Sequence, residues 1–537
     1  MRLFLPGLLL WASMTEAATR AATAVCSTLH SRYPKHLVWD PAGTHGLQTS
    51  HGAAVYRAVL VDYWNAASAS NRPACALFPS DAEHVSFAVQ TLGAHPSVRF
   101  ALKGGGHNPN LGFSSVRGGL LIAFRPNSQF VVPAPDGRTV HVGAGANWEH
   151  VYSALQPLGK TAVGGRLGHV GVTGLVLGGG LSYLSAQYGF ACDSVVSFEC
   201  VLANGTIVQA SASSHPDLFF ALRGGGNQYA VVISMVLKTY DVGEQGLVWG
   251  GVRTYAADQA SKIMSAVSNF TANAEDPKAA LIPNIIFVGA AGLSLPVALV
   301  FFFYDGRTPP AAIFDEFNAI PHLSSGTETR SYLSLTREAL GGDTSGLRFQ
   351  FRENTLPNMP MPAMSSFLDH HFHELLQSAT AGALADLVDI RLLTFAVQPM
   401  PRAIAEASQR VGGGNALGLA PEHGDRLWVA YSLAWTSPLC DKKCPAFLRR
   451  AAESVLRLHK QKYAGAAPTN HVEGDVGFVS YNPIFMNDAM ADQAVLQSYG
   501  HETYQRLRAI HQDYDPEGFF STRQGGFKFS PQVAAAS

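Results

Sequence analysis

From Ala74 to Tyr240 short apolar runs of β character alternate with segments of helical period, and glycine turns divide them. Ala74–Phe78, Arg99–Leu102, Leu120–Phe124, Thr139–Val142, Val195–Leu202, Thr206–Ala210 and Ala230–Lys238 read as strands. Asp81–Leu92 and Trp148–Leu155 read as helices. Ser80, followed three residues later by Glu83, predicts a capping box with Ser80 as N-cap. Upstream, Tyr56–Ser68 is helical in pattern and stops at the turn signal Asn71-Arg72-Pro73.

Beyond Gly246 the apolar runs lengthen: Leu247–Tyr255, Asn284–Val288, Pro296–Tyr304, Ile390–Val397 and Leu427–Ala434. Helical stretches such as Ala256–Thr271 and Pro310–Asn318 lie between them, so a second unit built on a substantial sheet is expected. Thr355–Met364, rich in Pro and Met, is expected to be a loop. Helices over Pro445–Tyr463 and Tyr499–Gln512 complete an α+β chain in which no solenoid-like repeat is found.

Composition narrows the class. Of 537 residues 47% are hydrophobic and 14% charged, against a usual charged share of about 25%, which excludes a disordered chain and a coiled coil. The formal net charge of −1 supplies no field for a phosphate backbone, so no nucleic-acid partner is expected. Arg2, the apolar run Leu3–Trp11 and the small residues Ala17 and Ala18 predict a secretory signal peptide over residues 1–18. The run is shorter than the ~20 residues a membrane helix needs, so a secreted or secretory-pathway protein with no membrane partner is expected. Six cysteines then lie in an oxidising compartment, and the sequons at Asn204 and Asn269 are expected glycosylation sites.

Three Gly-Gly-Gly runs carry the candidate chemistry: Lys103-Gly-Gly-Gly-His107-Asn108, Leu177-Gly-Gly-Gly-Leu181-Ser182 and Arg223-Gly-Gly-Gly-Asn227-Gln228. Backbone without Cβ approaches a ligand closely and offers N–H groups to an anion such as a pyrophosphate. A Rossmann fingerprint fails at Gly143-Ala-Gly145 because Trp148 occupies the third glycine position, and no P-loop occurs. Asp369-His370-His371-Phe-His373-Glu374 puts His370 and His373 on one helix face without the HExxH pattern, so no metal is expected.

With Gly164-Gly-Arg166 through Ser182, Tyr188-Gly189, Asp193-Ser-Val195, Leu202-Ala-Asn-Gly205 and Asp217 through Asn227, these motifs resemble the vanillyl-alcohol oxidase / p-cresol methylhydroxylase superfamily. The branch it most resembles is that of the berberine bridge enzyme-like oxidases, the secreted fungal members in particular. Gly413 to Gly418, Gln493, Ser498-Tyr-Gly500, Tyr514-Asp-Pro516 and Gly525-Gly-Phe-Lys528 resemble its C-terminal signature, so the likeness runs from about Asn71 to Phe529.

The resemblance implies FAD held in a two-subdomain domain over residues 71–242. It also implies an N-terminal segment over 19–70, a substrate domain over 243–475 with a large antiparallel sheet backed by helices, and a tail over 476–537 that returns to the flavin. His107 stands where the family's histidine is bonded to the flavin 8α carbon, and a neutral imidazole nitrogen is the nucleophile such a bond requires. Flavin contacts are implied for Gly104, Gly105, Gly106, Asn108, Gly112, Gly165, Val170, Gly171, Gly174, Gly178, Gly179, Val232 and Asn487. Leu167 takes the place of the cysteine that some members attach to flavin C6, so a single covalent link is expected. Cys26 and Cys75 fit the family's N-terminal disulfide, and Cys440 with Cys444 could pair locally, while full connectivity stays open.

Where the family tail commonly reads Tyr-x-Asn-Tyr, this chain has Phe485-Met486-Asn487-Asp488, so Asp488 inherits the position of the base. Gln398 stands at an inward-facing sheet position that is acidic in some relatives, and it is expected to orient the substrate. The implied activity is hydride transfer from a small, hydrophobic organic substrate to FAD with reoxidation by O2 to H2O2, a step in secondary-metabolite biosynthesis. The alternative reading is a flavin-containing protein that binds or cyclises a reactive intermediate without net oxidation.

Overall fold

Strand Leu120–Ala123 is paired in parallel with Cys75–Leu77 on one side and Phe100–Lys103 on the other, and Leu37–Trp39 closes the sheet antiparallel to Cys75–Leu77. The two inner strands are buried at every position, as a sheet covered on both faces requires. A computed structural model describes residues 5–43, 49–273, 275–288, 296–338, 346–385 and 389–529. Helix Ala82–Gly93 packs on this sheet through Val85, Val89 and Leu92, together with Val25 and Leu29 of the N-terminal helix Leu5–Arg32. The Cys26–Cys75 disulfide joins that helix to the sheet.

The start of the leader run at Leu3 and the side chains up to Ala17 lie outside the described residues. Among the described residues no helix is long and apolar enough to cross a membrane. The N-cap of Ala82–Gly93 is Asp81, one residue later than Ser80: the Asp81 carboxylate accepts from the His84 amide at 3.0 Å and from the His84 ring at 2.7 Å. A carboxylate at a helix N-terminus also meets the dipole, which a serine hydroxyl does less well.

A second sheet runs Val131–Pro133, Thr139–Gly143, Val231–Lys238, Val195–Val201, Ile207–Ser211, antiparallel throughout. Helix Trp148–Leu155 has the bounds its pattern predicts and buries Trp148, Val151, Tyr152 and Leu155.

The third sheet has eight antiparallel strands. Its order is Ser324–Ser325, Leu247–Ala256, Val297–Tyr304, Ala279–Val288, Ile390–Met400, Arg426–Trp435, Arg348–Pro357, with Glu328–Ser331 paired beside Leu247–Ala256. Side chains alternate between its faces. Leu393, Phe395, Val397, Val429 and Tyr431 pack against helices Ala260–Asn273, Ala363–Ala385 and Lys443–Lys462, while Leu392, Thr394, Ala396, Gln398, Trp428 and Ala430 face a cavity. The expected loop is shorter than Thr355–Met364: Thr355, Leu356 and Pro357 end the edge strand, residues 358–362 form the loop, and a helix begins at Ala363. An edge strand tolerates proline because one side of its backbone needs no ladder donor.

Candidate active site

The Gly loops of the first two sheets, one face of the third sheet and the turn Met486–Asp488 enclose a cavity of about 430 Å³. Gly104, Gly105 and Gly106 follow strand Phe100–Lys103 directly. A Cβ on Gly105 would stand 2.5 Å from Gly171 Cα, so the two loops touch backbone to backbone. The amide N–H groups of Gly105, Gly106 and His107 have no hydrogen-bond partner among the described residues. Unpartnered amides on a Cβ-free loop facing a cavity fit an anionic pyrophosphate, which accepts hydrogen bonds from such a nest.

Trp64 lines the cavity beside this loop, its backbone amide donating to Gly106 O. The helix expected over Tyr56–Ser68 is in fact Ser50–Val61 followed by a short 3₁₀ turn, Ala66–Ser70, and the break between them presents Trp64. Asn65 holds the break: its side chain accepts from Ala67 N and Phe349 N and donates to Pro109 O and Phe349 O. The indole stacks on His107 at 4.5 Å, with 6° between planes, and on Phe349 at 3.8 Å. His107 Nε2 is 3.0 Å from His169 Nε2. Burial, reinforced by His169, holds the His107 pKa down at about 3, so its imidazole is neutral.

Asn487 joins the tail to the second Gly loop, its carbonyl oxygen accepting from Gly180 N at 3.0 Å and its amide donating to Gly174 O at 3.3 Å. Gly178 is required there, since a Cβ would stand 2.4 Å from Asn487 Nδ2. Gly165 lies against the Trp148 indole, where a Cβ would meet Cδ1 at 2.6 Å. Asn108, Val170, Gly171, Gly174 and Val232 also line the cavity, as does Leu167 at the position where a second, cysteinyl link would need a thiol. Gly112 and Gly179 do not line it: the Gly112 carbonyl packs on Gly525, and Gly179 abuts the Leu417 side chain at φ +105°.

Asp488 faces the same cavity without a side-chain hydrogen bond among the described residues. Burial raises its pKa, and Arg166 partly opposes the rise. Behind it the buried carboxylate of Glu353 accepts from Phe485 N and Thr355 Oγ1 and fixes the turn. Gln398 is differently employed from the expected substrate contact. Its amide donates to Leu281 O at 3.3 Å and Pro399 O at 3.0 Å, and its carbonyl accepts from the Arg166 guanidinium.

Cys440–Cys444 is a second disulfide, and Cys192 and Cys200 are free and buried. Asn204 is exposed at a hairpin turn; Asn269 lies within a helix, where its amide donates to Glu316 and the sequon hydroxyl of Thr271 donates to Val267 O. His370 and His373 stand half-exposed beside Glu374 and Asp369, while His371 points inward to the Tyr431 hydroxyl at 2.6 Å.

Comparison with known proteins agrees with this arrangement. A family model for an FAD binding domain matches residues 73–211. An uncharacterised FAD-linked oxidoreductase of Arthroderma benhamiae is 32% identical over 487 residues, which span 88% of this chain and 90% of that protein. An FAD-dependent monooxygenase of Fusarium proliferatum is 32% identical over 508 residues, 93% of this chain and 92% of that one. The crystal structure of a carbohydrate oxidase from Microdochium nivale shares the fold, with a TM-score of 0.69 over 94% of this chain and all of that one at 20% identity. The chain belongs to the FAD-linked oxidoreductases.

Proposed function

We propose that this FAD-linked oxidoreductase is an oxidase of small, predominantly apolar organic molecules, acting in the biosynthesis of a specialised metabolite and using dioxygen as final acceptor. One observation carries the reading: a single cavity has unpartnered backbone amides and a neutral histidine on one wall, and on the other a sheet face that mixes Ile282, Phe301, Leu392 and Trp428 with few polar groups. When bound, FAD supplies the hydride acceptor and passes the electron pair to dioxygen, giving hydrogen peroxide.

The chain's own residues divide the remaining work. The Gly104–Gly106 loop and Gly171 accommodate the pyrophosphate by backbone donation. His107 is the covalent anchor, with Trp64 stacked behind it to hold the ring plane. Asp488 is the base that receives the substrate proton, and Glu353 keeps its turn in place. Phe485, stacked on Trp428 at 4.3 Å, excludes water from the substrate side.

A peroxide-coupled screen of apolar alcohols, amines and activated ring carbons tests the reading. Stoichiometric peroxide release, slowed by roughly 10²-fold or more in Asp488→Asn, is expected. Turnover without peroxide would favour a protein that cyclises its substrate without net oxidation, and oxidation of sugars alone would contradict the apolar substrate class.

A further inference from the structure

Gly164 and Gly165 are pressed flat on the Trp148 indole, where a Cβ would stand 2.1 Å and 2.6 Å from ring carbons, and the next residue, Arg166, is thereby presented to the cavity. Its guanidinium donates to the Gln398 carbonyl oxygen. Among the described residues it has no carboxylate within ion-pair distance. Gln398 cannot rotate to release it, because both hydrogens of its amide are engaged by Leu281 O and Pro399 O. The cation is half-buried and held by Gln398 without a direct ion pair, Asp488 acting on it only across the shared cavity, with Ile282, Phe301, Trp428 and Phe485 among the lining.

A partly desolvated guanidinium is stabilised by an oxyanion that can accept from its fork, and a planar, delocalised one suits it best. Resting on the proposed oxidase reading, the geometry points to a substrate with an apolar body and a delocalised oxyanion, a carboxylate or the enolate of a 1,3-dicarbonyl unit, seated on Arg166 beside Asp488. Gln398 is a positioning residue for that cation.

The test is a titration of the flavin-loaded protein, read from the visible absorption of the flavin, with three probes: benzoate, the 1,3-cyclohexanedione enolate and neutral benzamide. Saturable perturbation by benzoate or by the dione enolate, at least tenfold tighter than by benzamide, is expected; which of the two binds assigns the subclass. Arg166→Gln should weaken that anion at least tenfold and leave benzamide unchanged, whereas Arg166→Lys should retain the preference. Gln398→Glu, which pairs the cation internally, should abolish anion binding in protein that still holds flavin. Equal binding of benzoate and benzamide, no binding of either anion, or an Arg166→Gln protein that binds as the wild type does would overturn the proposal. Protein that carries no flavin or never releases peroxide would overturn the oxidase reading instead, a result visible before any probe is added.

Discussion

His107 Nε2 lies 3.0 Å from His169 Nε2, so one of two neutral rings donates to the other, and in the tautomer in which His107 Nε2 donates, its Nδ1 is the free nucleophilic nitrogen. The pair predicts a division of labour in flavin attachment. Replacing His169 with Ala removes the proton partner but leaves the Trp64 stack on His107 intact. The rate of covalent incorporation of added FAD into apoprotein should fall by about tenfold or more, while FAD still binds. In-gel flavin fluorescence against time measures it, and an unchanged rate would make the contact structural only.

As the proposed base, Asp488 predicts a pH profile. A base works deprotonated, so kcat/KM should fall as pH drops through its pKa, and burial places that limb above the ~3.9 of an exposed aspartate. Asp488→Asn should lower kcat by roughly 10²- to 10⁴-fold and remove the limb. Because Arg166 lowers the Asp488 pKa, Arg166→Gln should move the limb to higher pH, the opposite of what loss of a neighbouring anion would do.

The contact of Gly105 with Gly171 leaves no room for a side chain. Gly105→Ala forces backbone apart, at a cost of about 1–3 kcal/mol, and should lower both melting temperature and flavin content. Gly93→Ala, where a Cβ meets nothing within 4 Å at a helix end, should leave both unchanged or slightly raise stability.

The Cys26–Cys75 bridge closes a loop with a sequence separation of 49, worth about 4 kcal/mol by chain entropy. Replacing both cysteines with serine should lower the unfolding midpoint in denaturant with little change in slope. An unchanged midpoint would show that the N-terminal helix contributes no cross-link-dependent stability.

Much of this architecture was legible because it is written in neighbouring residues. The period of Trp148–Leu155 places that helix correctly, and the strand runs from Cys75 to Lys238 lie within a residue or two of their patterns. Turn glycines next to His107 and Asn108 placed the loop that faces the cavity. Proline at 357 misled the reading, because whether a strand lies at an edge depends on sheet order and not on its own composition. The Arg166–Gln398 bond was beyond reach for a related reason: 232 residues separate the two, and only the packing of the loop after Thr161 on the face of the large sheet brings them together. Trp64 and His169 carried no motif of their own, and a tryptophan between two helical turns reads as core until its stacking on His107 is seen.

The proposed bond between His107 and the flavin is tested most directly by acid precipitation. The protein should be purified with its flavin, precipitated in acid, and the yellow absorbance of pellet and supernatant compared for wild type and His107→Ala. About one flavin per chain in the wild-type pellet, and none in that of the variant, is the predicted result. Wild-type flavin released to the supernatant would contradict the covalent anchor, and a colourless protein would contradict the flavin site as a whole.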